Sequence, residues 1–187
     1  MAKQYGLVID LKRCIGCQTC TVACKSEHEL QKGSGIRIET VGGPYRNTPT
    51  GKYPDLHMHF LPIPCMHCAQ ASCIDACPTE AIYRRDDGMV LLNEEKCSGC
   101  QDCVSACLYG ALQFNPDKNV VFKCNLCVHR IEQGIDPFCV VCCEVGAIFF
   151  GDIGSPSSDV SRRIASKNAV VYKPELGTGP AIYYCPA

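Results

Sequence analysis

Eighteen cysteines stand in this chain of 187 residues, and sixteen of them fall into four spaced runs. Cys14, Cys17, Cys20 and Cys24 read C-x2-C-x2-C-x3-C, and Cys97, Cys100, Cys103 and Cys107 repeat that spacing. Cys65, Cys68, Cys73 and Cys77 read C-x2-C-x4-C-x3-C with Pro78 next, and Cys124, Cys127, Cys139 and Cys143 read C-x2-C-x11-C-x3-C. Three thiolates within seven residues wrap a loop around one [4Fe–4S] cube and reach three of its irons. The fourth cysteine stands near the start of a short helix, expected over Thr21 to Leu30 in the first run. It points away from that cube and completes the coordination of a different one. This fourfold repeat is the main organisational fact of the chain.

Two other chemistries use closely spaced cysteines. Structural zinc takes four ligands in two pairs, so triplets at three-residue intervals would leave surplus thiols. Disulfides within one run would be strained, because neighbouring cysteines rarely reach bridging geometry. Iron–sulfur ligation is the expectation for all sixteen. Cys142 and Cys185 are left over and are expected as small buried apolar residues, with Cys143 keeping the x3 spacing from Cys139.

The composition agrees that the cysteines hold something. Only 7% of residues are aromatic, none is tryptophan, and Gly and Pro are frequent, so metal or cross-links must supply much of the stabilisation. At this cysteine density a secreted disulfide scaffold is the first alternative. Tyr5 to Ile9 is too short an apolar run for a signal peptide, and no small-residue cleavage site follows it. The nearly apolar stretch Phe138 to Phe150 is interrupted by Glu144 and too short for a membrane span. Basic and acidic residues almost cancel, 18 against 19, so no nucleic-acid surface is expected.

The elements between the runs repeat as well. Tyr5 to Asp10 reads as a strand ahead of Cys14. Ala81 to Arg85 and Met89 to Asn93 read as a hairpin around Asp86-Asp87-Gly88, and Gly110 to Asn115 with Asn119 to Lys123 as a second around Pro116-Asp117. The stretch 31–64 departs from the repeat: a Gly- and Pro-rich surface loop is expected, then a strand over Leu56 to Pro62. His57 and His59 are expected as strand histidines sharing one face, His67 as a hydrogen-bonding neighbour of a cluster, and His28 and His129 as helix-surface residues. Gly33 to Gly35 reads as a turn. Ser155 to Ser158 reads as the entry to a helix over Asp159 to Ser166, and Pro174 to Ala187 as extended chain.

The four runs in this order, the phrase Cys124-Asn-Leu-Cys-Val-His-Arg130 and the phrase Gly146-Ala-Ile-Phe-Phe-Gly-Asp152 resemble the four-cluster electron-transfer subunit of the dimethyl-sulfoxide-reductase (molybdopterin oxidoreductase) superfamily. Polysulfide, thiosulfate and arsenate reductases belong to it. Lys173 to Tyr184 resembles the closing segment of that family. The fold expected is α+β: two bacterial-ferredoxin-like domains, each with two [4Fe–4S] clusters, plus an inserted loop and strand and an extended C-terminal tail. The domains would be 1–30 with 118–152, and 56–117, with 31–55 as the insertion and 153–187 as a partner-binding tail.

Chain order alone leaves the pairing of the runs open. The resemblance implies a nested pairing, in which Cys14, Cys17, Cys20 and Cys143 hold one cluster and Cys124, Cys127, Cys139 and Cys24 its neighbour. Cys65, Cys68, Cys73 and Cys107 would hold a third, and Cys97, Cys100, Cys103 and Cys77 the fourth. Two positions depart from the family: Leu108 follows Cys107 and Glu144 follows Cys143, where proline is common. No thiolate is missing, so four [4Fe–4S] clusters are still expected, with altered hydrogen bonding around two of them.

Such a chain conducts single electrons. It carries no G-x-G-x-x-G fingerprint, no P-loop and no persuasive Ser-His-Asp arrangement, so no substrate chemistry of its own is expected. Four oxidised clusters with their thiolates add roughly −8 to the polypeptide charge. Lys25, Lys96, Lys123 and Arg130 lie beside ligand positions and are expected to raise local reduction potentials. The resemblance implies a catalytic subunit with a molybdenum or tungsten bis-pterin cofactor, and a quinone-binding membrane subunit in many members. A peripheral place on a membrane complex follows, on either face, because export with a signal-bearing partner is possible. The alternative is a stand-alone polyferredoxin-like or hydrogenase-associated carrier.

Overall fold

The structure, a computed structural model, describes residues 3–187, so the first two residues of the 1–30 segment lie outside the described residues. Strand β1 (Tyr5–Asp10) is Leu-Val-Ile-rich and buried on both faces, with Leu7, Val8 and Ile9 fully enclosed. It lies at the centre of a four-stranded sheet in the order β10-β1-β12-β11, where β10 is Ile148–Asp152, β11 is Val170–Val171 and β12 is Ile182–Cys185. Strands β1 and β10 pair antiparallel, Tyr5 opposite Asp152 and Ile9 opposite Ile148. The strand before the first cysteine run therefore closes against the strand after the last one.

Helix α1 (Thr19–Glu27) follows the first cysteine loop. Strand β2 (Ile36–Val41) pairs antiparallel with β5 (His59–Pro64), Ile36 opposite Pro64 and Val41 opposite His59, and a small hairpin of β3 (Thr50–Lys52) and β4 (Asp55–His57) projects from their end. Two further hairpins follow: β6 (Ile82–Arg84) with β7 (Val90–Leu92), and β8 (Gln113–Asn115) with β9 (Val120–Phe122). The short helices α2 (Ser72–Asp75), α3 (Asp102–Ala106), α4 (Val128–Ile131) and α5 (Phe138–Val141) sit in or beside the cysteine loops, and α6 (Asp159–Ser166) packs on β10. Ser158 caps α6 by accepting from the Ser161 N–H, as its position ahead of the helix predicts.

One apolar cluster joins the sheet, the β2–β5 ribbon and several ligand cysteines through Leu7, Ile36, Ile63, Met66, Leu126 and Ile182. A second gathers Ala71, Ile82, Val90, Leu112 and Val121 around Cys73 and Cys103. Val121 belongs to β9, so the β8–β9 hairpin straddles the 117/118 boundary drawn from sequence. Two ferredoxin-type units of mixed helix and strand result.

Three expectations need correction. The insertion 31–55 is not a plain loop, because β2 pairs with β5 and buries Ile36 and Ile38 in the main cluster. The strand expected over Leu56 to Pro62 is broken at Met58 into β4 and β5, which leaves His57 exposed on one ribbon and His59 half-buried on the other, not sharing a face. The segment 153–187 is built into the shared core and is not a plain extended tail: β12 runs parallel to β1, Leu7 opposite Ile182 and Asp10 opposite Cys185, with Ala181, Ile182 and Tyr184 buried. The apolar run Ile182 to Cys185 pairs along the open edge of β1, which is the physical reason the segment does not trail free.

Candidate iron–sulfur sites

In two places the structure brings the first three cysteines of one run together with the fourth cysteine of another. Cys77, Cys97, Cys100 and Cys103 line one small enclosed cavity, together with Ala81, Ile82, Leu92 and Val121. Cys24, Cys124, Cys127 and Cys139 line a second, with Ile36, Pro64 and Leu126 among its apolar walls. The other eight lie near enough to act on one another electrostatically. Cys143 is among the charges acting on Cys14 and Cys20, and Cys107 among those acting on Cys68 and Cys73. Among the described residues no three of His, Cys, Asp or Glu close on a point as ligands of a single metal ion would. The thiols line spaces instead.

Burial dominates the electrostatics. It pushes the Cys20 and Cys73 thiols up to about 12, with nearby cysteines adding to the rise. Cys68, Cys103 and Cys127 go to about 11 for the same first reason, and Cys124 and Cys139 are raised further. Clustered buried thiolates need cations among them, and iron supplies that charge while displacing the protons. The donor set, soft sulfur in groups of four around apolar cavities, fits [4Fe–4S] clusters.

The backbone also aims donors at the sulfurs. The N–H groups of Ala81, Ala111 and Ala147 donate to Cys77, Cys107 and Cys143 Sγ at 3.2, 3.4 and 3.2 Å. In each case the residue just before the alanine, Glu80, Gly110 or Gly146, has positive φ (50°, 58° and 56°), which turns the next amide back onto the sulfur. The sequence signal for this turn is C-x3-A, which occurs at all three sites. The three bonds are alike whether Pro78, Leu108 or Glu144 follows the cysteine, so the missing prolines do not produce the altered bonding expected of them.

Cys24 is different. It lies inside the nine-residue helix α1, where the following amides are engaged in the helix. Its sulfur accepts instead from the Gly35 N–H at 3.2 Å. A Cβ at residue 35 would stand 3.0 Å from the Cys124 backbone and 3.1 Å from Cys24 Sγ, so any side chain there would crowd both cysteine segments. The expected turn at Gly33 to Gly35 is thus part of the site.

Side chains complete the surroundings. His28, expected on a helix surface, has its Nε2 3.6 Å from Cys127 Sγ and lines that cavity. His129 does lie at the surface, where with Arg130 it clamps Glu27 at 2.7 and 3.3 Å, tying α4 to α1. Leu126 N–H donates to Cys124 Sγ at 3.5 Å. Thr178, which no sequence signal singled out, bonds Tyr109 at 2.6 Å and lies beside Cys68, while Gly179 O accepts from the Ala69 N–H. The closing segment therefore covers the second cysteine loop of its own chain. Among the four basic residues beside ligands, only Lys123 is buried; Lys96 is exposed, and Lys25 and Arg130 are half-exposed. Cys185 is buried as expected, while Cys142 is half-exposed on the surface of its loop.

Known proteins match this arrangement. A 4Fe-4S dicluster domain model matches residues 56–153, and a 4Fe-4S binding domain model matches residues 5–26. This protein belongs to the 4Fe-4S dicluster family of iron–sulfur subunits. It is 37% identical to the B component of polysulfide reductase from Wolinella succinogenes over 100% of this sequence and 96% of that one. The B component of tetrathionate reductase from Salmonella typhimurium is 38% identical, with 97% and 72% covered. The B component of sulfite dehydrogenase from Allochromatium vinosum is 37% identical, with 98% and 83% covered. As a member of this dicluster family the protein holds four [4Fe–4S] clusters and is an electron-transfer subunit of an oxidoreductase. Among the described residues no helix is long and apolar enough to cross a membrane.

Proposed function

We propose that the sixteen cysteines hold the four clusters in nested sets. Cys14, Cys17 and Cys20 work with Cys143, and Cys124, Cys127 and Cys139 with Cys24. Cys65, Cys68 and Cys73 work with Cys107, and Cys97, Cys100 and Cys103 with Cys77. The observation that carries this reading is the pair of cavities each lined by three cysteines of one run and the fourth of another. Bound there, a [4Fe–4S] cluster takes up and gives back one electron with little change of shape.

The protein's part is to hold, shield and space these groups. Cys65 acts on Cys124, Cys20 acts on Cys139, and Cys73 and Cys103 share one apolar cluster. The ligand sets therefore succeed one another from Cys97/100/103/77, through Cys65/68/73/107 and Cys124/127/139/24, to Cys14/17/20/143. The two outer sets contain the exposed cysteines, Cys100 and Cys17, and every cysteine of the inner sets is buried or half-buried. Outer sets near the surface suit exchange with partners; inner sets keep water from the sulfurs.

One partner is read as a catalytic subunit with a molybdenum or tungsten bis-pterin cofactor, and the other as a quinone-binding membrane subunit or another redox protein. The reading is supported by likeness to the B components of polysulfide and tetrathionate reductases. Likeness to a sulfite dehydrogenase component as well is in keeping with a relay that conducts electrons in either direction. The complex would lie against a membrane.

Anaerobic purification from the native source tests this. A large partner with molybdenum or tungsten, and about sixteen irons per copy of this chain, is the expected result. Purification as a free monomer with full iron would favour a stand-alone polyferredoxin-like carrier. Serine substitutions test the nesting: Cys77→Ser and Cys97→Ser should perturb the same paramagnetic signal, and Cys77→Ser and Cys65→Ser different ones. Cys77→Ser perturbing the same signal as Cys14→Ser would instead establish sequential pairing, and the same signal as Cys65→Ser a cluster held within one run.

A further inference from the structure

Two buried polar side chains meet at Val90 on β7, between the loop that carries Cys65, Cys68 and Cys73 and the loop that carries Cys124 and Cys127. His67 is fully enclosed, and its Nδ1 accepts from the Val90 N–H at 3.0 Å. An accepting Nδ1 bears no proton, so the proton of the neutral ring is on Nε2. That Nε2 has no partner among protein atoms. A buried N–H left without an acceptor costs about 1–3 kcal/mol, so such groups in native proteins nearly always have one. The ring belongs to the cysteine loop itself, flanked by Met66 and Cys68, and its backbone is held at φ 45°.

Lys123 is the second group. Its ammonium is buried and donates to Val90 O and, at 3.0 Å, to Cys124 O. Both acceptors are carbonyls and neither carries a charge. A buried cation without a counter-charge is costly by several kcal/mol. The negative charge nearest to hand is sulfur: Lys123 acts on Cys73 and lies one residue from Cys124. One residue, Val90, thus orients the histidine through its N–H and the lysine through its C=O.

We propose that His67 and Lys123 form a fixed pair that raises the reduction potential of the cluster held by Cys65, Cys68, Cys73 and Cys107. His67 donates its Nε2–H to the sulfur of that cluster, and Lys123 supplies a positive charge at the junction of the two inner ligand sets. Reduction adds one negative charge, and both groups favour the reduced form: hydrogen bonds to sulfur and net charge are two of the factors that set such potentials. The pair would keep an electron from pausing on an outer set when an inner one is free. This inference rests on the ligand sets proposed above.

Redox titration of the intact complex, followed by electron paramagnetic resonance, tests it. In Lys123→Met, one couple should become harder to reduce, its reduced-to-oxidised ratio at a fixed poise falling about tenfold, equivalent to about 59 mV for one electron. Lys123→Arg should restore most of that shift, and His67→Phe should move the same couple in the same direction. The two outermost couples should not move. Four unmoved couples in Lys123→Met and His67→Phe with full iron content would overturn the proposal, as would an equal shift of all four. Should either variant lose its iron, pulsed resonance on wild-type protein with ¹⁵N-histidine decides. Coupling of a histidine nitrogen and an exchangeable proton to one reduced inner cluster is expected, and none would overturn the pair. A preparation with far fewer than about sixteen irons would instead defeat the ligand assignment itself.

Discussion

Cys77, Cys107 and Cys143 on one side, and Cys24 on the other, solve the same problem differently. Each is the fourth cysteine of its run and each needs a donor at its sulfur. The first three end a short helix or turn, and the chain then turns through a positive-φ residue and delivers the amide of the alanine four residues on. Cys24 sits within α1, which runs on to Glu27, and its donor comes from Gly35 in a later loop. Local sequence suffices at three sites, while the fourth depends on how α1 and β2 pack around the Cys124 loop. The comparison teaches that a longer helix at one site removes the local amide and makes the site a tertiary construction.

Iron removal is the largest test. Burial and neighbouring cysteines push thiols such as Cys20 and Cys73 up to about 12, so without iron they stay protonated and the loops they belong to lose the metal that ties them together. Stripping iron with a chelator under reducing conditions should abolish the cooperative unfolding transition seen by circular dichroism. The set containing Cys24 should lose its signal after the outer sets, because Cys124 and Cys139 are more enclosed than Cys17 and Cys100. Loss of that signal first would break the idea that its tertiary closure protects it.

Gly35→Val comes next. The new side chain meets Cys124 backbone and Cys24 Sγ, so iron content should drop by about one quarter, with one paramagnetic signal missing. An unchanged spectrum would show that Gly35 is not the closing residue of that site.

The three local sites can be exchanged against one another. Gly110→Glu and Gly146→Glu place a side chain at positive φ and should each cost about 1–2 kcal/mol in denaturant unfolding. Glu80→Gly at the matching position should stabilise by up to about 1 kcal/mol. Equal effects of opposite sign would sharpen the equivalence of these turns, and a neutral Gly146→Glu would break it.

The smallest effect concerns the clamp beside Cys24. Glu27 lies in part-buried surroundings that oppose its charge, but hydrogen bonds from His129 and Arg130 outweigh this and hold its carboxyl below the usual 4.5. A depressed folded pKa means the stabilisation is complete above the ordinary value and is lost as pH falls through the folded one. Wild type should therefore exceed Glu27→Gln by about 1 kcal/mol at neutral pH, and the gap should close as pH drops below about 4.5. A gap that persists in acid would assign the effect to packing.

Much of the site is legible in the residues alone. The spacing of the runs marks the candidate ligands and the metal chemistry, because a loop of three cysteines has few other uses, and the strand at Tyr5 and both hairpins fall where apolar runs and turn residues put them. The β2–β5 ribbon is hidden because glycines and prolines around it read as loop, although Ile36 and Ile38 alternate toward the core. His28 reads as a surface residue because nothing in its neighbours indicates that α1 packs against the Cys124 loop.

What the amino-acid sequence by itself determined is the spacing of the cysteines in four runs, the iron–sulfur chemistry it points to, and the local turns that return an amide to Cys77, Cys107 and Cys143. These depend on contacts within a few residues. Tertiary structure decided which cysteines of distant runs line one cavity, that β12 completes the sheet beside β1, that Gly35 and Thr178 reach cysteine sulfurs, and that His67 and Lys123 meet at Val90. Those contacts join segments tens of residues apart, and a pattern of spacing carries no information about which distant loops a folded core presses together.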